Sequence, residues 1–202
     1  MSASLVGSEM CIETGVIIIG AGPAGCEAAY RLAQAGETVE LIEKESETGG
    51  NLNNWYQLFP DRKQARDLNQ SLRQNIQRPD IHLHLGNYPV KISRTENNKF
   101  TLELNDGALL KGDALLVTSG FRLFNARRKE EYGYGIYENV ITSVELENFF
   151  INHHIATSTG QIPKRIGLIH CVGQETKRFV ITTVPNSVAV SYTHLRAHET
   201  SA

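Results

Sequence analysis

Residues 16–25 decide the fold, and they read Val16-Ile17-Ile18-Ile19-Gly20-Ala21-Gly22-Pro23-Ala24-Gly25. A continuous β-branched run such as Val16–Ile19 is typical of a strand buried on both faces of a parallel sheet. The glycines at 20, 22 and 25 permit a tight turn, a close backbone approach to a pyrophosphate, and tight packing of the following helix. We therefore predict a strand, a glycine-rich turn and a helix whose N-terminus faces a dinucleotide.

An acidic residue closes the next predicted strand. Gly36 ends the first helix, and Thr38–Ile42 follows as the second strand. Glu43 stands at the end of that strand, 23 residues after Gly20. A carboxylate at this place accepts hydrogen bonds from ribose hydroxyls and repels a 2′-phosphate. The spacing therefore favours a dinucleotide with an unphosphorylated ribose and disfavours NADP.

The remaining elements continue a mixed helix and strand pattern. Apolar residues at i, i+3 and i+4 spacing predict a helix that carries Ala65, Leu68, Leu72 and Ile76. Alternation predicts a strand at Ile81–Leu85. Three short strands separated by turn residues predict an antiparallel meander at Val90–Arg94, Lys99–Leu104 and Ala108–Lys111. A further buried strand, Ala114–Val117, leads into Thr118-Ser119-Gly120.

Composition excludes several classes of function. The chain has 202 residues, with 20 Lys and Arg against 22 Asp and Glu, for a formal charge of −2. That balance gives no broad attraction to nucleic acid or to an anionic membrane, so we expect neither as a partner. The sequence contains no apolar run of the roughly 18 residues needed to span a bilayer.

Three cysteines stand at positions 11, 26 and 171. They are too few and too scattered for a disulfide framework, a closed zinc site or a cysteine-ligated iron–sulfur cluster, so we predict no metal site. The count is typical of a reducing compartment, and we expect a cytoplasmic protein. Cys26, at a helix start, is either a reactive thiol or a small buried residue, and the second interpretation is favoured. His82 and His84 are expected on the polar face of a strand rather than at a metal.

The length of the chain and the changes in residue pattern along it predict the domain organisation. We assign residues 1–14 to a leader and residues 15–125 to the dinucleotide-binding domain. Residues 126–186 read as a linker and the truncated start of a second domain. Residues 187–202 resemble a translated library adapter, and we interpret them as a non-native tail.

Several motifs together resemble one family. Gly49-Gly50-Asn51-Leu52, the Tyr132-Gly133-Tyr134-Gly135 segment, Asn139–Ser143 and Ile169–Gly173 resemble the A-subunit family of heterodisulfide reductase. The fold that this implies is α/β: a three-layer FAD/NAD(P)-binding, Rossmann-like domain with a parallel sheet and a small antiparallel β-meander. The resemblance also implies an FAD-dependent oxidoreductase that passes electrons between a donor, FAD and iron–sulfur partner subunits. Iron–sulfur clusters are expected only in the part of the family that lies beyond this chain.

The resemblance implies a set of cofactor-binding residues. Those facing the FAD pyrophosphate are Gly20, Gly22, Pro23, Ala24 and Gly25. Glu43 holds the adenosine ribose, with Lys44 beside it, and the backbone at Val90 meets the adenine. Gly50, Asn51 and Leu52 lie along the pyrophosphate and towards the flavin. Thr118, Ser119 and Gly120 close the phosphate side.

Two other functions stay open at this point. One is an NAD(P)H-dependent flavoprotein reductase of the pyridine-nucleotide-disulfide type, which would need a second glycine-rich fingerprint and usually a CxxC pair. The other is a binding-only or non-functional fragment. The sequence shows no Ser, His and Asp in the order of a catalytic triad and no paired carboxylates. If the protein is an enzyme, the cofactor would therefore carry the chemistry.

Overall fold

The computed structural model describes residues 12–95, 97–169, 172 and 181–185. The interpreted tail at 187–202, Cys11 and Cys171 lie outside the described residues. The chain divides into two compact units. The first comprises the residues up to Asn53 together with Gln64–Phe121, and the second comprises Asn54–Lys63 and the residues from Arg122 onward.

Within the described residues, strands and helices alternate in the first half of the chain. The strands are β1 Ile12–Ile19, β2 Val39–Glu43, β3 Gln57–Leu58, β4 Lys63–Gln64, β5 Ile81–Leu85, β6 Pro89–Arg94, β7 Phe100–Leu104, β8 Leu109–Val117, β9 Arg165–Ile169 and β10 Ile181–Pro185. The α-helices are α1 Pro23–Gln34, α2 Ala65–Asn75 and α3 Ser143–Ile151. Short 3₁₀ turns cover Gly50–Asn54, Ala126–Arg128 and Glu130–Tyr132.

Six strands form one mixed sheet in the order β5-β2-β1-β8-β7-β6. β5, β2, β1 and β8 are mutually parallel, and β8, β7 and β6 continue the sheet as an antiparallel meander. The predicted parallel sheet with a small meander is therefore confirmed. β1 starts at Ile12, so this strand extends into the segment that the sequence assigns to the leader.

The parallel strands are buried on both faces. One face packs against the meander, and the other packs against α1. Ile17 and Ile42 pack in one buried cluster with Leu102, Leu104 and Leu110 of the meander. Because successive strand residues point to opposite faces, Ile18 and Leu41 face α1, which packs on β1, β2 and β5. The three layers are thus helices, parallel strands and meander.

One strand replaces two predicted ones. The sequence separates Ala108–Lys111 from Ala114–Val117, but β8 runs unbroken from Leu109 to Val117. Gly112 lies within it because a Cβ there would approach the Cγ1 of Ile17 to 2.9 Å. The prediction that the end of this strand is buried is wrong, since Val117 is 60% exposed.

A fully buried glutamate joins β2 to the edge strand β5. Glu40 has no exposed surface, and one of its carboxylate oxygens lies 2.7 Å from Nδ1 of His82. The other oxygen contacts Nε2 of His84. The two histidines therefore satisfy a buried carboxylate. In the described part of the chain, no group of three or more His, Cys, Asp or Glu side chains is arranged to hold a metal ion.

The second unit has its own aromatic contacts. The Tyr56 ring stacks on Phe150, with 5.8 Å between centroids, and the Tyr56 N–H donates to Glu147 at 2.8 Å. Thr142 and Glu145 form a capping box at the start of α3. Burial opposes ionisation of Glu145, but hydrogen bonds from Thr142 outweigh it and lower the pKa of this carboxyl. None of the helices in the described residues has the length and apolar character to cross a membrane.

Candidate functional site

Three glycines shape the turn between β1 and α1. Gly20 has a φ of +103°, and a Cβ there would lie 2.5 Å from the Thr118 carbonyl oxygen. At Gly25 a Cβ would lie 1.9 Å from the Gly20 carbonyl oxygen, so this position closes the helix onto the turn. A Cβ at Gly22 would meet nothing within 4 Å. Two of these glycines thus serve internal packing, and the third leaves a side of the turn open.

Helix α1 begins at this open side. Gly22 is its N-cap and supplies no side-chain cap, and Pro23 starts the first turn. The first turn carries no acidic residue. A helix N-terminus presents N–H groups and a partial positive charge, so this end of α1 suits an anion such as a phosphate.

The peptide groups of Ala21 connect the two glycine segments to the acidic strand end. The Ala21 N–H donates to Oε2 of Glu43 at 2.8 Å. The Ala21 carbonyl accepts from the Gly49 N–H at 2.8 Å and from the Cys26 thiol at 3.2 Å. Ala21 is fully buried. The sequence does not single out Ala21, because its contacts are made by backbone N–H and C=O groups that every residue type except proline carries.

Glu43 lies at the centre of this arrangement. Its second carboxylate oxygen accepts from the Glu45 N–H at 3.1 Å, and the side chain is 7% exposed. Lys44 is exposed and pairs with Glu45 at 3.2 Å. The Glu43 carboxylate therefore already has two backbone donors, and it keeps further lone pairs for hydroxyl groups.

The Gly49-Gly50 pair lies against the first glycine turn. Both residues have positive φ, +109° and +52°, and a Cβ at Gly50 would lie 3.3 Å from the Gly22 Cα. Asn51 is half-buried, whereas Leu52 is only 3% exposed, so its side chain points into the protein. The structure thus brings Gly50 beside Gly22.

The remaining candidate residues take different positions. The Thr118 hydroxyl donates to the carbonyl oxygen of Gly20 at 2.8 Å, so it fastens the end of β8 to the turn. Ser119 and Gly120 follow it and are exposed. Val90 is 55% exposed at an irregularity in the β6–β7 pairing. The segment before Val90 is tied to the acidic strand end, because the Asn87 N–H donates to the Glu43 carbonyl at 3.0 Å.

Cys26 is a buried thiol rather than a reactive one. Burial, reinforced by the nearby charge of Glu43, raises the pKa of the Cys26 thiol from 9.0 to about 11, against the opposing effect of Arg73. The thiol donates to the Ala21 carbonyl, so it stays protonated at neutral pH. The interpretation of Cys26 as a small packing residue is therefore confirmed, since nucleophilic chemistry needs the thiolate.

This raised pKa predicts a loss of stability at alkaline pH. Because the folded state holds the proton more tightly than the unfolded state, the stabilisation is complete below pH 9 and disappears as the pH rises through about 11. Chemical unfolding at pH 8 and pH 11 should show the wild-type chain losing up to about 3 kcal/mol more than Cys26→Ala. A difference between the two chains that stays constant with pH would contradict the assignment.

Comparison with known proteins places the chain in a family. A sequence model described as pyridine nucleotide-disulphide oxidoreductase matches residues 14–145. The chain belongs to this family. The match covers the glycine turn, Glu43, the Gly49-Gly50 pair and nearly all of the six-stranded sheet and extends into the residues after Arg122.

Curated relatives support the narrower resemblance. The first iron-sulfur A-subunit of CoB–CoM heterodisulfide reductase from Methanopyrus kandleri is 27% identical, over 82% of this chain and 38% of that protein. Its counterpart from Methanocaldococcus jannaschii is also 27% identical, over 80% of this chain and 38% of that protein. The resemblance to the heterodisulfide reductase A-subunit family is thus confirmed, and the chain spans well under half the length of these relatives.

A solved structure confirms the fold class. The L-proline dehydrogenase of P. horikoshii matches with a TM-score of 0.50 and 22% identity, over 58% of this chain and 25% of that chain. At this identity the likeness concerns the fold alone. The predicted α/β dinucleotide-binding architecture agrees with it.

Proposed function

We propose that the first unit binds FAD and forms the flavin-bearing part of an oxidoreductase related to the heterodisulfide reductase A-subunit family. The observation that carries this proposal is the Ala21 connection. One residue's peptide groups join the turn at Gly22, the Gly49-Gly50 pair and the Glu43 carboxylate. A phosphate-binding end and a ribose acceptor held together in this way suit the adenosine diphosphate half of FAD.

The residues present fit such a ligand. Gly22 leaves the space that a Cβ would fill, and α1 supplies N–H groups for the pyrophosphate from its first turn, where Pro23 and Ala24 lie. Glu43 accepts from the ribose hydroxyls, with Lys44 beside it, and the Val90 backbone meets the adenine. Gly20 and Gly25 shape the turn, and Gly50 and Asn51 continue along the pyrophosphate.

The other assigned residues have supporting roles in this proposal. The Leu52 side chain is buried, so it stabilises the turn that leads towards the flavin and does not contact the ligand itself. Thr118 fixes the Gly20 carbonyl, and the exposed Ser119 and Gly120 close the phosphate side. Bound FAD would supply one- and two-electron chemistry, while the chain binds and orients it.

In the whole protein we propose electron transfer between a donor, FAD and iron–sulfur partner subunits. The support is the identity of the relatives, which are iron-sulfur subunits of heterodisulfide reductase. The match to the pyridine nucleotide-disulphide oxidoreductase family also supports a second candidate, an NAD(P)H-dependent flavoprotein reductase. A binding-only or non-functional fragment is the third.

Flavin binding by the 202-residue chain tests the proposal. The purified chain should release FAD on denaturation, or take up added FAD with a shifted visible spectrum. FMN is the matched control ligand, because it lacks the adenosine half of FAD and should bind at least about tenfold more weakly. A colourless chain that takes up neither flavin overturns the cofactor assignment.

Reduction of the bound flavin then separates the three candidates. Reduction by dithionite but not by NADH or NADPH supports an electron-transfer module. Reduction by either nicotinamide supports the NAD(P)H-dependent reductase. A chain that binds no flavin supports the non-functional fragment.

A further inference from the structure

Helix α2 buries an asparagine beside a leucine of its apolar pattern. The apolar pattern includes Leu68, but Leu68 is 41% exposed and the neighbouring Asn69 is only 8% exposed. Leu68 thus departs from the apolar pattern of its helix, although the predicted helix itself is present. An amide buried in this way costs free energy unless its polar atoms find partners, so the position of Asn69 calls for a reason other than core packing.

The partners of this helix face lie in the Thr48–Asn53 loop. The Asn69 amide donates to Oδ1 of Asn53 at 2.5 Å. One turn later, Arg73 donates from a single guanidinium nitrogen to Oε2 of Glu47 and to the Thr48 carbonyl, both at 2.8 Å. The Asn53 amide also donates to the Thr48 carbonyl, at 3.2 Å. Asn69 and Arg73 thus hold both ends of the loop.

The same asparagine touches the glycine between those ends. A Cβ on Gly49 would lie 2.4 Å from Oδ1 and 2.6 Å from Nδ2 of Asn69. Asn69 Oδ1 is buried and accepts no hydrogen bond from the described residues. On its other side, Gly49 donates its N–H to the Ala21 carbonyl. Gly49 therefore packs between α2 and the first glycine turn, with a φ of +109°.

We propose that Asn69 and Arg73 are positioning residues for the dinucleotide: they hold Gly49 and Gly50 against Gly22 before the ligand arrives. This inference rests on the proposed binding of FAD. A loop that is already ordered spares the ligand the entropy cost of ordering it, so binding is tighter. Neither side chain is assigned a contact with FAD. The Oδ1 of Asn69, unpartnered among the described residues, costs folding free energy, and in this proposal the ordered loop is what that cost maintains.

The first test replaces Asn69 with leucine, which has nearly the same shape and no buried polar atom. The ligand-free Asn69→Leu chain should melt at the wild-type temperature or above it, because the loss of the hydrogen bond to Asn53 is offset by removal of the buried Oδ1, which accepts no hydrogen bond from the described residues. Its FAD dissociation constant should rise about tenfold, as for the loss of one hydrogen bond. Leu68→Asn, at the partly exposed neighbouring position, is the control: it removes some apolar burial and should lower the melting temperature slightly, but it should leave the affinity within about twofold.

The outcomes separate a positioning role from a structural one. A structural role predicts that melting temperature and FAD affinity fall together in Asn69→Leu, and that result overturns the inference. An Asn69→Leu chain with wild-type affinity overturns it as well. If the wild-type chain itself takes up no FAD, the proposed function fails instead, and hydrogen exchange in the ligand-free loop still tests the positioning of Gly49.

The second test needs no ligand. In Arg73→Lys the ammonium keeps the charge, but lysine is one atom shorter than the arm of arginine that ends in Nη2, so its nitrogen falls short of Glu47 and of the Thr48 carbonyl. Amide hydrogen exchange in residues 48–53 of the ligand-free chain should become about tenfold faster, with the rest of α2 unchanged. Arg66→Lys is the control, because Arg66 is exposed on the same helix and should leave the loop unchanged. Wild-type exchange in the loop of Arg73→Lys overturns the inference.

Discussion

Gly22→Ala should abolish FAD binding while leaving the fold intact. A Cβ at this position meets no protein atom within 4 Å, and the φ of −71° suits any residue. Alanine stabilises the folded state because it makes the unfolded chain less flexible, but it is a poorer N-cap than glycine. The two effects oppose each other, so the free energy of unfolding should stay within about 0.5 kcal/mol of the wild-type value. The same methyl group occupies the space through which the backbone would approach the pyrophosphate. Flavin titration should give an affinity at least about a hundredfold weaker.

Gly25→Ala is the matched variant with the opposite expectation. Its Cβ would lie 1.9 Å from the Gly20 carbonyl oxygen and 2.8 Å from the Thr118 hydroxyl oxygen, and neither group can move without breaking the turn. Urea unfolding should show a loss of about 3 kcal/mol. If Gly22→Ala binds FAD as the wild type does, the pyrophosphate does not lie on the open side of the turn, and the proposed orientation is wrong.

Local sequence patterns predicted the parts of the fold that local forces determine. Gly36 follows the end of α1 with a φ of +92°, and the strand Ile81–Leu85 has the predicted bounds. Both follow from the conformational freedom of glycine and from strict alternation, which depend on neighbours in the chain. The parallel pairing of β1 with β2 likewise follows from the helix between them, because a strand–helix–strand crossover returns the chain in the same direction.

The missed features depend on residues distant in the chain. Asn69 and Leu68 differ by one helical position, and only the Thr48–Asn53 loop decides which of them is buried. Glu40 looks like a solvent-facing residue in the sequence, but His84 satisfies its carboxylate from 44 residues away. Polar partners of this kind leave no periodic signal, so hydrophobic patterning cannot find them.

Glu43→Ala should have the second large effect, on both stability and binding. The substitution removes the acceptor of the Ala21 N–H and of the Glu45 N–H, at 2.8 and 3.1 Å. Because Ala21 is fully buried, its N–H would be left without a partner, at a cost of about 2 kcal/mol. The proposed ribose acceptor is lost at the same time. Urea unfolding should detect the first effect, and flavin titration should detect an affinity about a hundredfold weaker.

Glu45→Ala is the control that isolates this carboxylate. Its side chain is 65% exposed and pairs with Lys44 at the surface, so its removal should change stability by less than about 0.5 kcal/mol. The Glu45 N–H that donates to Glu43 is retained in that variant. Glu43→Ala therefore differs from Glu45→Ala in the buried acceptor and not in net charge. A Glu43→Ala chain that loses stability yet keeps its FAD affinity would restrict Glu43 to supporting Ala21, and the ribose would need another acceptor.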